Sequence, residues 1–238
     1  MLEVATKEKV DKPGHTRKSI VWAITVQRLG KRVPVVTEGC VQIVAEGHAF
    51  LRFSFNDYTP SMEDVFIPPS VVEANGLVTG MTVRGLLRAP KEDEKLFCLL
   101  SVETIDGEKP AKVAARTPFK ELTPIYPIER IFLEGSPDNP LEMRIVDLIT
   151  PIGLGQRGLI VAPPRTGKTV ILQMLAKCIA HSQPDAHMIV LLIDERPEEV
   201  TDFQRTLTGD SHEVISSTFD EPAARHIQVA EMAIAKAK

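Results

Sequence analysis

The stretch Ala162-Pro-Pro-Arg-Thr-Gly-Lys-Thr169 sets a lysine and a hydroxyl residue directly after a glycine. That order suits a triphosphate. Backbone N–H groups at a helix start converge on an anion, and the helix dipole adds favourable potential. Gly167 lets the backbone approach the phosphates without a Cβ. Lys168 reaches the β- and γ-phosphates, and the Thr169 hydroxyl is placed to ligate a Mg²⁺ ion carried by the nucleotide. The stretch matches the Walker A pattern except that Ala162 stands where the first glycine would be. Arg165 either adds a second positive charge toward the phosphates or faces solvent. A bare Gly-Lys-Thr arises by chance often enough that context must decide, and here the loop follows an apolar run and opens an amphipathic helix.

A second chemical feature is Asp194-Glu195-Arg196-Pro-Glu-Glu199. It closes an apolar strand, and the C-terminal ends of strands are where open α/β sheets bind ligands. Glu195 is placed to orient or deprotonate an attacking water. Glu198 and Glu199 read as first-turn helix acids stabilised by the dipole. A third feature lies upstream, in Gly47-His-Ala-Phe-Leu-Arg-Phe53. Strand periodicity puts Ala49, Leu51 and Phe53 on one face and His48, Phe50 and Arg52 on the other. The second row combines stacking rings with a guanidinium, which suits single-stranded nucleic acid. The competing reading is that Phe50 packs under a loop.

The elements that must position these groups change character along the chain. Residues 1–35 carry a charge of +5 within a chain of −4, leaving −9 for the remainder. This basic segment is expected to have little order, as either a solvated tail or an arm for acidic partners. An apolar patch at Ile20–Val26 suggests an isolated strand. Residues 36–106 read as all-β, with short runs at 40–44, 49–55, 64–67, 82–87 and 96–102 separated by turn formers. Five such strands suggest a small barrel of OB-fold size. Residues 107–128, with four prolines, form a linker. From 129 to 238 strands alternate with helices, the grammar of an open α/β sheet. Apolar strands are expected at 157–163, 187–194 and 213–218, with helices over 168–180 (Ile171, Leu172, Leu175 and Ile179 on one face), over 198–207, and after Pro222. The last should turn Ile227, Ala230 and Ile234 inward.

Composition excludes several classes. Cys40, Cys98 and Cys178 are too far apart for metal-ligand spacing and read as core thiols in a reducing compartment. The longest apolar run, 188–193, is far too short to span a bilayer, and the first residues lack a signal-peptide core. A cytoplasmic protein without a membrane is expected.

Taken together, Pro151-Ile-Gly-Leu-Gly-Gln-Arg-Gly158 with the phosphate loop, Leu191-Leu-Ile-Asp-Glu-Arg-Pro-Glu-Glu-Val200 and Ser217-Thr-Phe-Asp-Glu-Pro222 resemble the bacterial transcription termination factor Rho family. Residues 47–52, 64–70 and 94–97 resemble that family's cold-shock-type OB domain. The resemblance covers roughly 38–238 and accounts for Ala162, since the family's loop has the same Ala-Pro-Pro start. It implies an OB-fold barrel followed by the first part of an α/β RecA-like P-loop ATPase domain. It also implies a homohexamer that loads on single-stranded RNA and uses ATP to translocate and release the RNA polymerase elongation complex. Gly153, Leu154, Gly155, Gln156, Arg157, Gly158, Arg165, Thr166, Gly167, Lys168, Thr169, Val170 and Arg196 would line the nucleotide pocket, with Glu195 activating water. Phe50, Arg52, Asp64 and Glu94 would belong to the RNA site, joined by His48 from the strand pattern.

Three departures from the family qualify those expectations. His48 and Leu96 stand where the family usually offers aromatic rings, so weaker stacking is expected. The family's N-terminal helical subdomain is not recognisable in residues 1–35. The chain also stops before the family's second acidic strand, its RNA-gripping pore loops and its arginine finger, a group worth about 10³–10⁵ in rate. Little or no ATP turnover is therefore expected of this chain alone. The alternative is an RNA-binding module whose loop binds ATP without hydrolysing it.

Overall fold

The computed structural model describes residues 17–44, 47–91, 94–135, 140–163, 166–207, 209 and 211–238. The chain forms two units, residues 1–117 with 227–238 and residues 118–226.

The first unit is built on a closed barrel. Its strands are β1 (Val36–Ile43), β2 (Ala49–Arg52), β3 (Val65–Ile67), β4 (Thr82–Arg88) and β5 (Cys98–Ile105), in the order β1-β2-β3-β5-β4 with β4 closing on β1. All neighbours are antiparallel except β3 and β5. Closure leaves no exposed edge. Each of the five strands expected of the barrel is present, within a few residues at the ends. Alternation fills the interior: Val41, Ala49, Leu51, Val65, Ile67, Val83, Leu99 and Ile105 are all essentially inaccessible. Gly85 is required in β4, because a Cβ there would lie 2.1 Å from the Ser101 carbonyl oxygen. A short helix, α2 (Pro69–Asn75), links β3 to β4 and ends on Gly76 at φ 58°, a left-handed C-cap.

The patch at Ile20–Val26 is helical, not a strand. It lies within α1 (Arg17–Gly30). Ile20 and Ile24 are buried together, and residues four apart share a face under both the helical and the strand period. Trp22 and Leu29 pack on the barrel core, with the Trp22 ring 4.3 Å from that of Phe97. The described part of the basic segment is therefore ordered; residues 1–16 lie outside the described ones. Residues 107–128 are irregular apart from α3 (Pro110–Val113) and a turn of 3₁₀ helix at Phe119–Glu121.

In the second unit, β6 (Arg130–Ile131) pairs with β7 (Ile152–Gly153) and is tied to α4 (Leu141–Ile149) through buried Asp147. The Asp147 carboxylate accepts the Leu133 N–H at 3.1 Å and meets Arg130 at 3.1 Å. Then come α5 (Lys168–Ser182), β8 (Met188–Glu195), α6 (Pro197–Thr206) and β9 (His212–Thr218). β8 and β9 pair in parallel, Leu191 opposite Ile215, with α6 as the crossover. α5 packs in two directions: Leu175 and Cys178 join Ile131, Leu133 and Met143, while Ala176 joins Leu192, Val200 and Phe203. Leu172, expected on the inner face with Ile171, Leu175 and Ile179, is 38% exposed.

Two further expectations fail. The run 157–163 pairs with no strand among the described residues, and Leu159 and Val161 are more than four-fifths exposed. A parallel strand needs a neighbouring ladder, which those residues do not supply. The last helix, α7 (Ala223–Ala237), buries Val229, Met232 and Ala233, leaving Ile227 and Ile234 exposed. Both triplets recur at helical spacing, so periodicity alone does not choose the face. Cys40, Cys98 and Cys178 are buried free thiols, as expected.

Candidate functional site

In the second unit, the start of α5 and the end of β8 meet at one cavity of about 880 Å³. Gly167 caps α5 in the left-handed conformation, φ 91°, which a glycine adopts without penalty. The Thr166 hydroxyl donates to the Pro163 carbonyl at 2.7 Å, closing the loop ahead of the helix. Gly167, Lys168, Thr169 and Val170 line the cavity with Ala162 and Pro163. From the opposite wall come Glu195, Arg196, Glu199 and Asp202.

Glu195 reaches this wall through a local irregularity. Asp194 has φ 60°, unusual for a residue with a side chain, and the β8–β9 register slips between Ile193 and Glu195. A bulge at a strand end re-aims the next side chain. Asp194 itself is exposed, and the Glu195 carboxylate stands 3.4 Å from the Lys168 ammonium. The site thus pairs a cation and a carboxylate over a helix N-terminus, as phosphate binding with water activation would need.

Of the expected pocket residues, Lys168, Thr169, Gly167, Val170, Glu195 and Arg196 share this cavity. Thr166 and the run Gly153, Leu154, Gly155, Gln156, Arg157 and Gly158 are not part of its lining. That run starts at the end of β7 and turns away beyond it, where the Gln156 side-chain oxygen accepts the Gly153 N–H at 2.8 Å. Arg165 lies outside the described residues. Sequence reasoning missed Gln173 and Asp202, which sit one turn into α5 and α6. Their signal was helical spacing from Thr169 and Glu198, four residues on in each case.

The barrel carries the second site. Register places Phe50 opposite Phe66, with Ala49 and Leu51 inward. Phe66, which sequence reasoning missed, lies with its ring 5.8 Å from both His48 and Phe50. Its signal was the cross-strand pairing of two outward aromatics. The result is a continuous row on the outer face, from exposed His48 through Phe66 and Phe50 to Arg52.

Arg52 differs from expectation. It faces outward by strand parity but is only 5% exposed. Its guanidinium lies 4.8 Å over the Phe50 ring, ion-pairs with Asp64, and donates through Nε to Gln42 at 2.7 Å. The charge is thus spent inside the protein. Burial pushes the Asp64 carboxyl above its usual range, against the pull of the Ser61 N–H and of Arg52. Glu94 is likewise engaged: Arg88 grips both its oxygens, at 2.5 and 2.8 Å, and the Lys91 N–H donates at 3.0 Å. Arg88 above all, then that N–H, lowers the Glu94 pKa to about 2. Asp64 and Glu94 therefore shape the face through their arginines.

A barrel with an aromatic outer row, joined to an α/β unit with a phosphate loop, defines a two-part class: a nucleic-acid-binding fold followed by a nucleotide-binding domain. Comparison with known proteins agrees. Residues 37–111 match the Rho termination factor RNA-binding domain, and residues 142–238 match the nucleotide-binding domain of the ATP synthase alpha/beta family. Transcription termination factor Rho of Aquifex aeolicus is 47% identical over 227 residues, 94% of this chain and 52% of that protein. The Rho proteins of Rhodopirellula baltica and Chromobacterium violaceum are 46% and 42% identical, covering 93% and 100% of this chain and 43% and 57% of theirs. The chain belongs to the Rho family. It spans about half the length of the curated relatives it matches.

Proposed function

We propose that this chain binds ATP at the Lys168–Glu195 cavity and single-stranded RNA on the outer row of the barrel, as the part of a Rho-type termination factor that loads on the transcript. The observation that carries the reading is the convergence of Gly167, Lys168, Thr169 and Glu195 on one cavity at a helix N-terminus. Lys168 would exchange its carboxylate partner for the β- and γ-phosphates, which frees Glu195 to hold the attacking water. The Gly153–Gly158 turn, Arg165 and Arg196 are assigned to the nucleotide as well, on the family likeness.

Among the described residues, no group of three His, Cys, Asp or Glu side chains is placed to hold a metal by itself. The donor set fits Mg²⁺ arriving with the triphosphate, which keeps most of its shell as water and phosphate oxygen and takes the Thr169 hydroxyl from the protein. That ion would neutralise phosphate charge. In the complete factor, a homohexamer would couple hydrolysis to movement along RNA and release of the polymerase. A cytoplasmic location follows from that role; no described helix is long and apolar enough to cross a membrane.

Fluorescent ATP-analogue titration with Mg²⁺ tests the nucleotide half. Lys168→Ala should weaken binding about ten- to hundredfold, the worth of a charge-assisted contact. Equal binding by the variant would overturn the assignment. Failure to bind oligocytidylate in an anisotropy titration would overturn the RNA half.

A further inference from the structure

We propose that the buried Ser217 hydroxyl, held between Glu221 and His226, is a positioning group for the nucleotide site, fixing the turn on which Glu195 hangs. The inference rests on the ATP-binding reading of the Lys168–Glu195 cavity and assigns a residue outside that cavity's lining.

Ser217 is the penultimate residue of β9 and is 1% exposed. Its hydroxyl donates to Glu221 Oε2 at 2.5 Å and lies 2.7 Å from His226 Nδ1. A hydroxyl has one proton to give. With that proton in the Glu221 bond, Nδ1 is the donor of the second contact. Serine, histidine and a carboxylate in contact also suggest a nucleophile, but the order is wrong for one. The carboxylate binds the hydroxyl instead of the far side of the imidazole, and burial closes the oxygen to any substrate.

These contacts clamp a turn. Glu221 lies between β9 and α7, and His226 lies in the first turn of α7. The Glu221 N–H donates to the Thr218 carbonyl at 3.0 Å, and Arg225 Nε meets Glu221 Oε2 at 2.6 Å. One hydroxyl therefore ties the strand end, the turn and the helix start together. Glu195 depends on that turn. After the slip at Asp194 its register partner is Thr218, and its carbonyl accepts the Phe219 N–H at 3.3 Å. A shift of residues 218–219 thus moves the backbone that aims the Glu195 carboxylate at Lys168. Asp194, at φ 60°, gives no independent support, because a residue with a side chain holds that conformation only where its surroundings impose it.

The test is a double-mutant cycle on the full chain, read by fluorescent ATP-analogue titration with Mg²⁺. Glu195→Gln removes the carboxylate that holds Lys168 before the phosphates arrive. It should tighten binding about two- to fivefold, the worth of an exposed ion pair. In a Ser217→Ala background the same substitution should have no such effect, because the carboxylate no longer stands at Lys168. His226→Asn, whose amide nitrogen takes the place of Nδ1, should preserve the full effect of Glu195→Gln, whereas His226→Leu should abolish it. This second pair decides the matter where Ser217→Ala does not fold. An effect of Glu195→Gln that survives Ser217→Ala or His226→Leu overturns the proposal while leaving ATP binding intact, as does a Glu195→Gln variant that binds like wild type. No binding by the wild type overturns both readings.

Discussion

Replacing Arg52 by methionine separates a guanidinium that touches RNA from one that holds the barrel together. Methionine keeps the aliphatic cover over Phe50 but leaves Asp64, 2% exposed, with the Ser61 N–H at 2.5 Å and no cation. Removing one partner of a buried pair costs about 3–5 kcal/mol. Protonation of Asp64 sets an upper bound. From the usual carboxyl value of 3.8, neutralising the group at pH 7 costs about 1.36 kcal/mol per pH unit, or about 4 kcal/mol. Trp22 is the only tryptophan and packs on Phe97 beside the barrel core, so its fluorescence reports on that unit. With an m-value of about 2 kcal/mol/M, the urea midpoint of Arg52→Met should fall by about 2 M at pH 7.

The loss should also depend on pH in a fixed direction. Burial already raises the folded Asp64 pKa above its unfolded value, and without Arg52 that effect is less opposed. Such a group favours the folded state below the unfolded pKa and loses that contribution as pH rises through the folded one. The deficit should therefore shrink from neutral pH toward pH 4. The double variant Arg52→Met/Asp64→Leu should recover to within about 1 kcal/mol of wild type. An Arg52→Met midpoint indistinguishable from wild type, or a double variant no better than the single, would refute the reasoning and return Arg52 to the surface.

Gly85→Ala should lower the same Trp22 transition by about 1–3 kcal/mol, because its Cβ meets the Ser101 carbonyl oxygen of β5, which cannot rotate away; an unchanged midpoint would mean that the strands shift freely there. The Glu94 carboxyl, followed by carbon-detected NMR, should titrate near 2. Its contribution to stability is present above the ordinary value of 4.5 and is lost as pH falls from there toward 2. A midpoint at 4.5 would show that the Arg88 grip does not form in solution.

Local pattern was enough for the two-part architecture. Period-2 alternation with turn residues marks the five barrel strands, and apolar strands alternating with amphipathic helices mark the nucleotide-binding unit. The loop ahead of α5 was legible as a candidate phosphate site as well, because glycine, lysine and threonine would act through their own backbone and side chains at consecutive positions. Where two periods agree, the pattern was silent. Ile20 and Ile24 share a face as strand or helix, and only burial of Trp22 and Leu29 on the barrel makes α1 a helix. Where a helix is apolar around much of its girth, as α7 is, packing selects Val229, Met232 and Ala233 over Ile227 and Ile234.

The sites divide in the same way. Strand parity put His48, Phe50 and Arg52 on one face, but parity carries no information about partners from other strands. Phe66 enters the row only through the β2–β3 register, and Arg52 leaves solvent only because Asp64 and Gln42, remote in sequence, close on it. Likewise Glu195 was identifiable as an acid at a strand end. Its approach to Lys168 depends on the kink at Asp194, a tertiary feature that no residue type in that segment specifies by itself. Short-range chemistry is written in residue type and spacing. Charge pairing, exposure and the meeting of distant side chains are set by the packing that brings them together.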